Sequence, residues 1–256
     1  MKIYIFADLE GISGVSSSAF VTADGAKYGL GCKFITRDVN ICAKACLEAG
    51  ADEVIVRDGH GAGNSILWEN LIPGIRLVQG HTPGERFSGI EEADAVILLG
   101  YHAMAGTPRA LMEHTFSSKS IQNMWVNGEL AGEFAIDTII AGEHGLPVIM
   151  TSGCDKLCQE ARAFSPDVVT CQVKISTGQQ GAIMLSPDAS EKLLREKTFE
   201  AIAAFKEGRI KPMTLEKEAV LRIEYMERCE PALGLVAPRT VELTGPTLEE
   251  AFFRRF

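Results

Sequence analysis

Three short apolar runs, each followed at once by acidic residues or histidines, constrain the fold of this 256-residue chain. The runs are Ile3–Ala7, Val54–Val56 and Ala95–Leu99. A short apolar run bounded by turn residues is typical of a strand buried on both faces of a parallel sheet. In open α/β sheets the ligand crevice lies beyond the carboxyl ends of such strands. We therefore expect the residues after the three runs to converge at one edge of a sheet.

These following residues have side chains that bind metals. Asp8 and Glu10 follow the first run, Asp58 and His60 the second, and His102 the third. Alternate side chains of an extended segment point to one side, so Asp8 and Glu10 are placed to reach the same cation. A solvated acidic loop, a surface histidine and a hydrogen-bonded core histidine are the structural alternatives. Asp58 is a candidate to orient a metal-bound imidazole or to hold a substrate ammonium group.

Two later residues extend the candidate site. Glu133 begins a predicted helix, where a carboxylate also has a purely structural use at the positive end of the helix dipole. His114 alternates with the apolar residues Met112 and Phe116, so it is a half-exposed strand histidine or a general base or electrostatic stabiliser. Three carboxylates and two imidazoles exceed the ligands of one tetrahedral ion. The set predicts two bridged ions, and its mixed nitrogen and oxygen donors suit zinc, with manganese or cobalt as alternatives.

The order of apolar runs and amphipathic segments predicts an α/β fold. A helix over Phe34–Ala49, with an apolar stripe through Ile35, Val39 and Cys42, joins the first two strands. We expect a three-layer α/β/α arrangement around a largely parallel central sheet, plus a second, smaller α/β lobe. All five histidines precede residue 154. Residues 1–153 are therefore predicted to form a metal-binding catalytic domain, and residues 154–256 a lobe that supports the site, covers it or contacts other subunits.

Turn residues and apolar spacing predict several local elements. Asn127-Gly128, between Trp125-Val126 and Glu129-Leu130, is a strong signal for a two-residue β-hairpin. Leu111–Phe116 is predicted as a strand and Asn64–Leu71 as a short helix. Asn127 and Tyr101 are further candidates for residues that support the site or contact substrate.

Composition excludes several classes of partner. The formal charge of −9 argues against nucleic acid and against anionic membranes, which both favour a basic surface. The first apolar run has five residues before Asp8, too few for a signal peptide, and we expect no membrane-spanning segment. The seven cysteines are odd in number and show no C-x-x-C spacing. They are interpreted as buried thiols of a cytoplasmic protein.

Four motifs together resemble one peptidase family. They are D-L-E-G-I-S-G at residues 8–14, D-G-H at 58–60, G-Y-H-A at 100–103, and N-G followed by G-E within 127–133. With His114 between the last two, the order and spacing are similar to those of the DppA-like metallopeptidases, which are zinc-dependent D-aminopeptidases encoded with dipeptide transport operons. The resemblance spans roughly residues 1–153.

The resemblance implies an activity, a metal set and an assembly. It implies a dinuclear zinc site, with His114 as the catalytic residue and with ligands at the matching positions Asp8, Glu10, His60, His102 and Glu133. It also implies a ring-shaped homo-oligomer, a decamer, whose active sites face an internal channel. We expect hydrolysis of the N-terminal peptide bond of short peptides, with D-alanine-like N-termini, by a metal-activated water.

Two other functions fit part of the pattern. A metal-dependent phosphatase of the haloacid dehalogenase type also places an Asp-x-acid motif after its first strand, but it requires Asp where this chain has Glu10 and a later acidic pair that the sequence does not offer. A protein that binds metal or peptides without cleaving them would use the same ligands. Neither a G-x-S-x-G elbow nor a Walker loop occurs.

Overall fold

The computed structural model describes residues 1–227 and 239–254. The described strands, in chain order, are β1 Lys2–Ala7, β2 Glu53–Asp58, β3 Ile75–Val78, β4 Ala95–Tyr101, β5 Ile121–Val126, β6 Glu129–Leu130, β7 Val148–Cys154, β8 Val169–Gly178, β9 Gly181–Met184, β10 Ala219–Tyr225 and β11 Thr240–Gly245. The described α-helices are α1 Tyr28–Glu48, α2 Glu133–Glu143, α3 Asp155–Phe164, α4 Pro187–Lys206 and α5 Leu248–Phe253.

A seven-stranded sheet in the order β3-β2-β1-β4-β7-β8-β9 forms the centre of the molecule. All of its pairs are parallel except β8 with β9. The three apolar runs lie side by side as β2, β1 and β4. Their registers align Ala7 with Asp58 on one side and with Leu99 on the other. The carboxyl ends of the three strands therefore meet at one edge, as predicted.

Helices cover both faces of this sheet. Along β1, Ile3 and Ile5 pack with one core and Tyr4 and Phe6 with the other, as the two-residue period of a strand requires. The first core also contains buried residues of α1 and α4, and the second contains residues of α2, α3 and α5. Each fully buried side chain of this size contributes about 1.5–3 kcal/mol. The predicted three-layer α/β/α class is confirmed.

A smaller antiparallel sheet, ordered β11-β10-β5-β6, packs into the second core. Its β5–β6 hairpin turns at Asn127 and Gly128, whose φ angles are +49° and +91°. Two positive φ angles are what a type I′ turn needs, so the hairpin prediction is confirmed. Both sheets contain strands from each side of residue 153. The predicted division at that residue therefore does not coincide with a boundary between the sheets.

Two local predictions were wrong. The segment Leu111–Phe116 is irregular, with φ of +46° at Met112 and +58° at Phe116, which a strand does not permit. In the predicted helix Asn64–Leu71, only Trp68–Asn70 forms a 3₁₀ turn. Strand β9 and helix α5 were not predicted at all. In the described part of the chain, no helix has both the length and the apolar character needed to cross a membrane.

Candidate metal centre

The first carboxylates of the site lie where the chain leaves β1. Asp8 and Glu10 are buried, with 7% and 5% of their surfaces exposed. The chain turns sharply at Gly11, whose N–H donates to the Gly100 carbonyl at 2.7 Å. A Cβ atom at Gly11 would lie 2.0 Å from the carbonyl oxygen of Tyr101, so only glycine fits here. This close approach holds both carboxylates at the sheet edge.

His60, on the loop after β2, completes one group with Asp8 and Glu10. Its Nδ1 lies 3.1 Å from Asp8 Oδ1 and 3.1 Å from Glu10 Oε2. One ligand atom from each of the three residues fits within a 4.8 Å cluster. The structure therefore brings together residues that are 52 positions apart in sequence.

Glu133, at the first turn of α2, forms a second group with His102 and His114. The His102 Nε2 lies 3.2 Å from Glu133 Oε1, and the His114 Nε2 lies 3.8 Å from the same oxygen. The two imidazole rings stack at 3.9 Å with 12° between their planes. The Asp8 carboxylate lies between the two groups, because its Oδ2 is 3.5 Å from His102 Nε2.

All three histidines orient one ring nitrogen toward carboxylates and the other toward a backbone carbonyl. The carbonyl partners are Val21 for His60 Nε2 at 2.8 Å, Ala103 for His102 Nδ1 at 3.0 Å, and Met112 for His114 Nδ1 at 2.9 Å. In the neutral ring, an N–H that donates to a backbone carbonyl leaves the opposite nitrogen with a lone pair for a metal. Metal-binding histidines use this arrangement.

The electrostatics of the cluster favour bound cations. Burial disfavours the charged imidazole of His60, but the carboxylates of Glu10 and Asp8 outweigh burial and raise its pKa from 6.5 to about 12. Burial opposes ionisation of Glu133 too, yet His102 lowers the pKa of this carboxyl to about 2. The Glu133 carboxylate therefore stays ionised, and bound metal ions would replace the imidazole protons.

Two buried oxygens of the cluster form no hydrogen bond in the described chain, although an imidazole nitrogen lies 3.5 Å from one and 3.1 Å from the other. Within the described chain, neither Asp8 Oδ2 nor Glu10 Oε2 accepts a hydrogen bond. Buried carboxylate oxygens are normally paired or coordinate a metal. Together with the donor set of carboxylates and free imidazole nitrogens, these oxygens fit divalent cations such as zinc.

The remaining predicted residues lie outside the cluster. The buried carboxylate of Asp58 accepts from the N–H groups of Ser65 and Ile66 at 2.6 and 2.8 Å, so it holds the loop that carries His60. Tyr101 donates its hydroxyl to Asp137 at 2.6 Å. The Asn127 side chain accepts from the backbone N–H of Val220 at 2.7 Å, in the hairpin turn.

Sequence reasoning missed two arginines and an aspartate beside the cluster. Arg86 forms a bidentate pair with Asp137, at 2.8 Å for both bonds, and its Nη2 lies 3.8 Å from Glu133 Oε2. Arg57 lies on β2, next to Asp58. Asp137 is one helical turn after Glu133 on a largely apolar helix, a spacing from which it could have been found. The arginines carry no comparable signal in the sequence.

A cavity of about 600 Å³ opens over the cluster. The two arginines and the aromatic rings of Phe116, Phe252 and Phe253 contribute to its walls, together with all six candidate metal-binding and catalytic residues. A cavity of this size accommodates a small-molecule ligand. Buried carboxylates and imidazoles at the carboxyl edge of a largely parallel sheet, beneath such a cavity, define a metal-dependent hydrolase of the α/β class.

Comparison with known proteins identifies the family. The D-aminopeptidase family of peptidases, M55, matches residues 1–252. A D-aminopeptidase of Bacillus subtilis (strain 168) is 32% identical over 251 residues, which cover 96% of this chain and 89% of that protein. The solved structure of the Zn-dependent D-aminopeptidase DppA from Bacillus subtilis, described as a self-compartmentalizing protease, superposes with a TM-score of 0.90 at 29% identity, over 98% of this chain and 94% of that one.

The chain belongs to the D-aminopeptidase family. The resemblance inferred from the sequence motifs is confirmed, as is the predicted class of enzyme, a metallo-aminopeptidase. Family membership favours the peptidase over the phosphatase alternative.

Proposed function

We propose that this protein hydrolyses the N-terminal peptide bond of short peptides that begin with a D-amino acid such as D-alanine, and that it uses two zinc ions per subunit. The observation that carries this proposal is the position of Asp8 between two groups of candidate ligands, with one oxygen toward His60 and the other toward His102. A carboxylate shared in this way is typical of two-metal hydrolytic sites. The zinc dependence described for the related DppA supports the choice of metal.

In this proposal, Asp8, Glu10 and His60 hold one ion, and Asp8, His102 and Glu133 hold the other. Bound zinc supplies a Lewis acid for the scissile carbonyl and lowers the pKa of a bound water to about 7. His114 is the proposed catalytic residue. Its Nδ1 is fixed by the Met112 carbonyl, so its Nε2 faces the cluster and can hold or deliver the proton that the leaving amine requires.

We further propose that the protein acts as a ring-shaped homo-oligomer, a decamer, in the cytoplasm. The self-compartmentalizing character described for DppA supports enclosed active sites. Short peptides are the substrates that such an enclosure admits. The six cysteines of the described residues are buried free thiols, which suits a reducing compartment, while Cys229 lies outside the described residues.

The test is a metal-dependent assay with matched substrates. Protein stripped with a chelator should not cleave D-alanyl-D-alanine, and zinc, manganese or cobalt should restore cleavage to different extents. The L-alanyl dipeptide should be cleaved more slowly. Metal analysis should find two ions per subunit. Full activity of metal-free protein would refute the metal mechanism, while tight binding of the dipeptide without turnover would support the non-catalytic alternative.

A further inference from the structure

Arg57 is a buried cation without a partner. It is 9% exposed and lies among the residues that line the cavity. In the described part of the chain, its Nε and Nη1 have no hydrogen-bond acceptor, and no carboxylate forms an ion pair with it. A buried guanidinium is normally paired, because the uncompensated charge is costly. The site must therefore retain Arg57 for a reason other than stability.

The second arginine of the cavity differs in this respect. Arg86 is neutralised by its bidentate pair with Asp137, and it packs over the ring of Phe6 at 4.4 Å. Phe6 is the cross-strand neighbour of Arg57 in the β1–β2 register. Arg57 therefore lies on the same face of the sheet as Phe6, and of the two arginines only Arg86 has an ion-pair partner within the described residues.

The geometry also relates this free cation to the metal ligands. The Arg86 Nη2 is 3.8 Å from Glu133 Oε2, and Arg57 lines the same cavity as Arg86 and the candidate ligands. In a dipeptide, the C-terminal carboxylate is one residue beyond the scissile carbonyl, or about 3.5 Å along the chain. Because Arg57 and the candidate ligands line one cavity, an anion bound at Arg57 would share that cavity with a peptide bond held at the cluster.

We propose that Arg57 binds the C-terminal carboxylate of a dipeptide and so makes the enzyme selective for very short substrates. This inference rests on the proposed peptidase function. A guanidinium matches a carboxylate through two parallel hydrogen bonds, and a buried pair of this kind is strong. An acidic side chain on the second residue has the same chemistry, and the experiment separates these two sources of the carboxylate.

The experiment compares three substrates: D-alanyl-D-alanine, its C-terminal amide, and an amide whose second residue is glutamate. The zinc-loaded wild type should cleave the free dipeptide with a kcat/KM roughly 10- to 100-fold above that of the plain amide, chiefly through KM, as expected for a hydrogen bond to a charged group. In the Arg57→Met variant this preference should disappear. Arg57→Lys should keep part of it, because the charge remains without the fork.

The variants also separate binding from folding. Arg57→Met should unfold at the same temperature as wild type or higher, since it removes an unpaired buried charge. The matched control is Arg222→Met. Arg222 is an exposed arginine on β10 that packs over Trp125, and this variant should keep the preference for the free dipeptide. If Arg57→Met fails to fold, the substrate preferences of the wild type and of Arg57→Lys decide.

Three outcomes would overturn the inference. The wild type would show no preference between free dipeptide and amide, or Arg57→Met would slow both substrates equally, or Arg57→Met would lose activity only toward the glutamate amide. The last result would assign Arg57 to an acidic side chain. Failure to cleave any of the three substrates would instead contradict the proposed function, and calorimetric binding of the free dipeptide against its amide would still test Arg57.

Discussion

At the scale of single residues, the ring orientations of the histidines separate candidate ligands from a candidate proton carrier. His102 and His60 each approach a carboxylate oxygen to within 3.2 Å, whereas His114 Nε2 is 3.8 Å from Glu133 Oε1. His114 also lies against the His102 ring rather than between two carboxylates. This placement suits a group that remains free to exchange protons beside the metal ligands.

His114→Ala should therefore lose activity but keep metal. We expect kcat to fall by about 10²- to 10⁴-fold, the usual loss when a general acid or base is removed. Metal analysis should find the wild-type zinc content. His144→Ala is a matched control, because His144 pairs with Glu249 and is not among the residues that line the cavity. If the His114 variant lost zinc, His114 would be a ligand, as its grouping with His102 and Glu133 also permits.

Glu160 gives a prediction about pH and stability. Burial raises the pKa of its carboxyl from 4.5 to about 7, although the Met104 N–H lowers it in part, and its Oε1 has no hydrogen-bond donor in the described chain. The folded protein therefore binds more protons than the unfolded chain between pH 4.5 and 7. The contribution of Glu160 to stability falls as pH rises through this window and stays unfavourable above it.

Glu160→Gln should consequently stabilise the protein at pH 8 by about 1–3 kcal/mol and change little near pH 4.5. Urea unfolding of both proteins at several pH values, with zinc in excess, measures the difference. Glu191→Gln, on the exposed face of α4, should show no such trend. If the free energies of unfolding of Glu160→Gln and wild type differed by the same amount at every pH, the shifted pKa of Glu160 would be contradicted.

Side chains adjacent to apolar strands could be predicted from the sequence, and those that depend on distant partners could not. The five candidate ligands were found because strand ends and a helix start place them at one edge. Asn127 belongs to a turn, and its hydrogen bond to Val220 depends on a strand that follows 93 positions later. Arg57 reads as an ordinary charged residue until the fold encloses it.

At the scale of elements, the loop after β1 depends on β8. Lys174, in the middle of β8, is 2% exposed, and its ammonium donates to the carbonyls of Glu10 at 2.8 Å and Val15 at 2.6 Å. The Asp38 carboxylate on α1 accepts from the Ser13 N–H in the same loop at 2.8 Å. Two charged side chains from separate elements thus position the segment that carries Glu10.

Lys174→Met should weaken metal binding more than it weakens the fold. The variant leaves two loop carbonyls without a donor, which frees the segment that carries Glu10. It also removes a buried ammonium group, and burial lowers the pKa of Lys174 to about 7, so losing this charge costs the fold little. We expect zinc affinity to fall by about 10- to 100-fold, as for other residues that orient ligands. Competition with a coloured chelator measures this affinity. Unchanged affinity, or an equal loss in the exposed control Lys192→Met, would contradict the positioning role.

Elements with a clear apolar period were predicted well, and irregular ones were not. Strands β1, β2 and β4 each contain one of the three apolar runs, and the structure has each of them. The predicted strand over Leu111–Phe116 had the right alternation, but its backbone turns at two positive φ angles, which bring His114 to the cluster. A local pattern does not reveal such a turn, because tertiary contacts hold it.

At the scale of the whole molecule, the edge of the main sheet exposes apolar surface. Ile183 on β9 and Ile175 on β8 are direct cross-strand partners, and 62% and 45% of their surfaces are exposed. Leu185, which follows β9, is 42% exposed. An apolar group on an edge strand is typical of an interface, because isolated edges otherwise promote aggregation. This edge is where we expect the proposed homo-oligomer to form a subunit contact.

Ile183→Asp should therefore shift the protein toward smaller assemblies. A charge placed in an apolar contact must be desolvated without a partner, so the association constant between subunits should fall by at least about 10-fold. Sedimentation velocity at several concentrations measures the change. Ala203→Asp adds the same charge on the exposed face of α4 and should leave the assembly intact. An unchanged sedimentation profile for Ile183→Asp would place the subunit contacts on other surfaces.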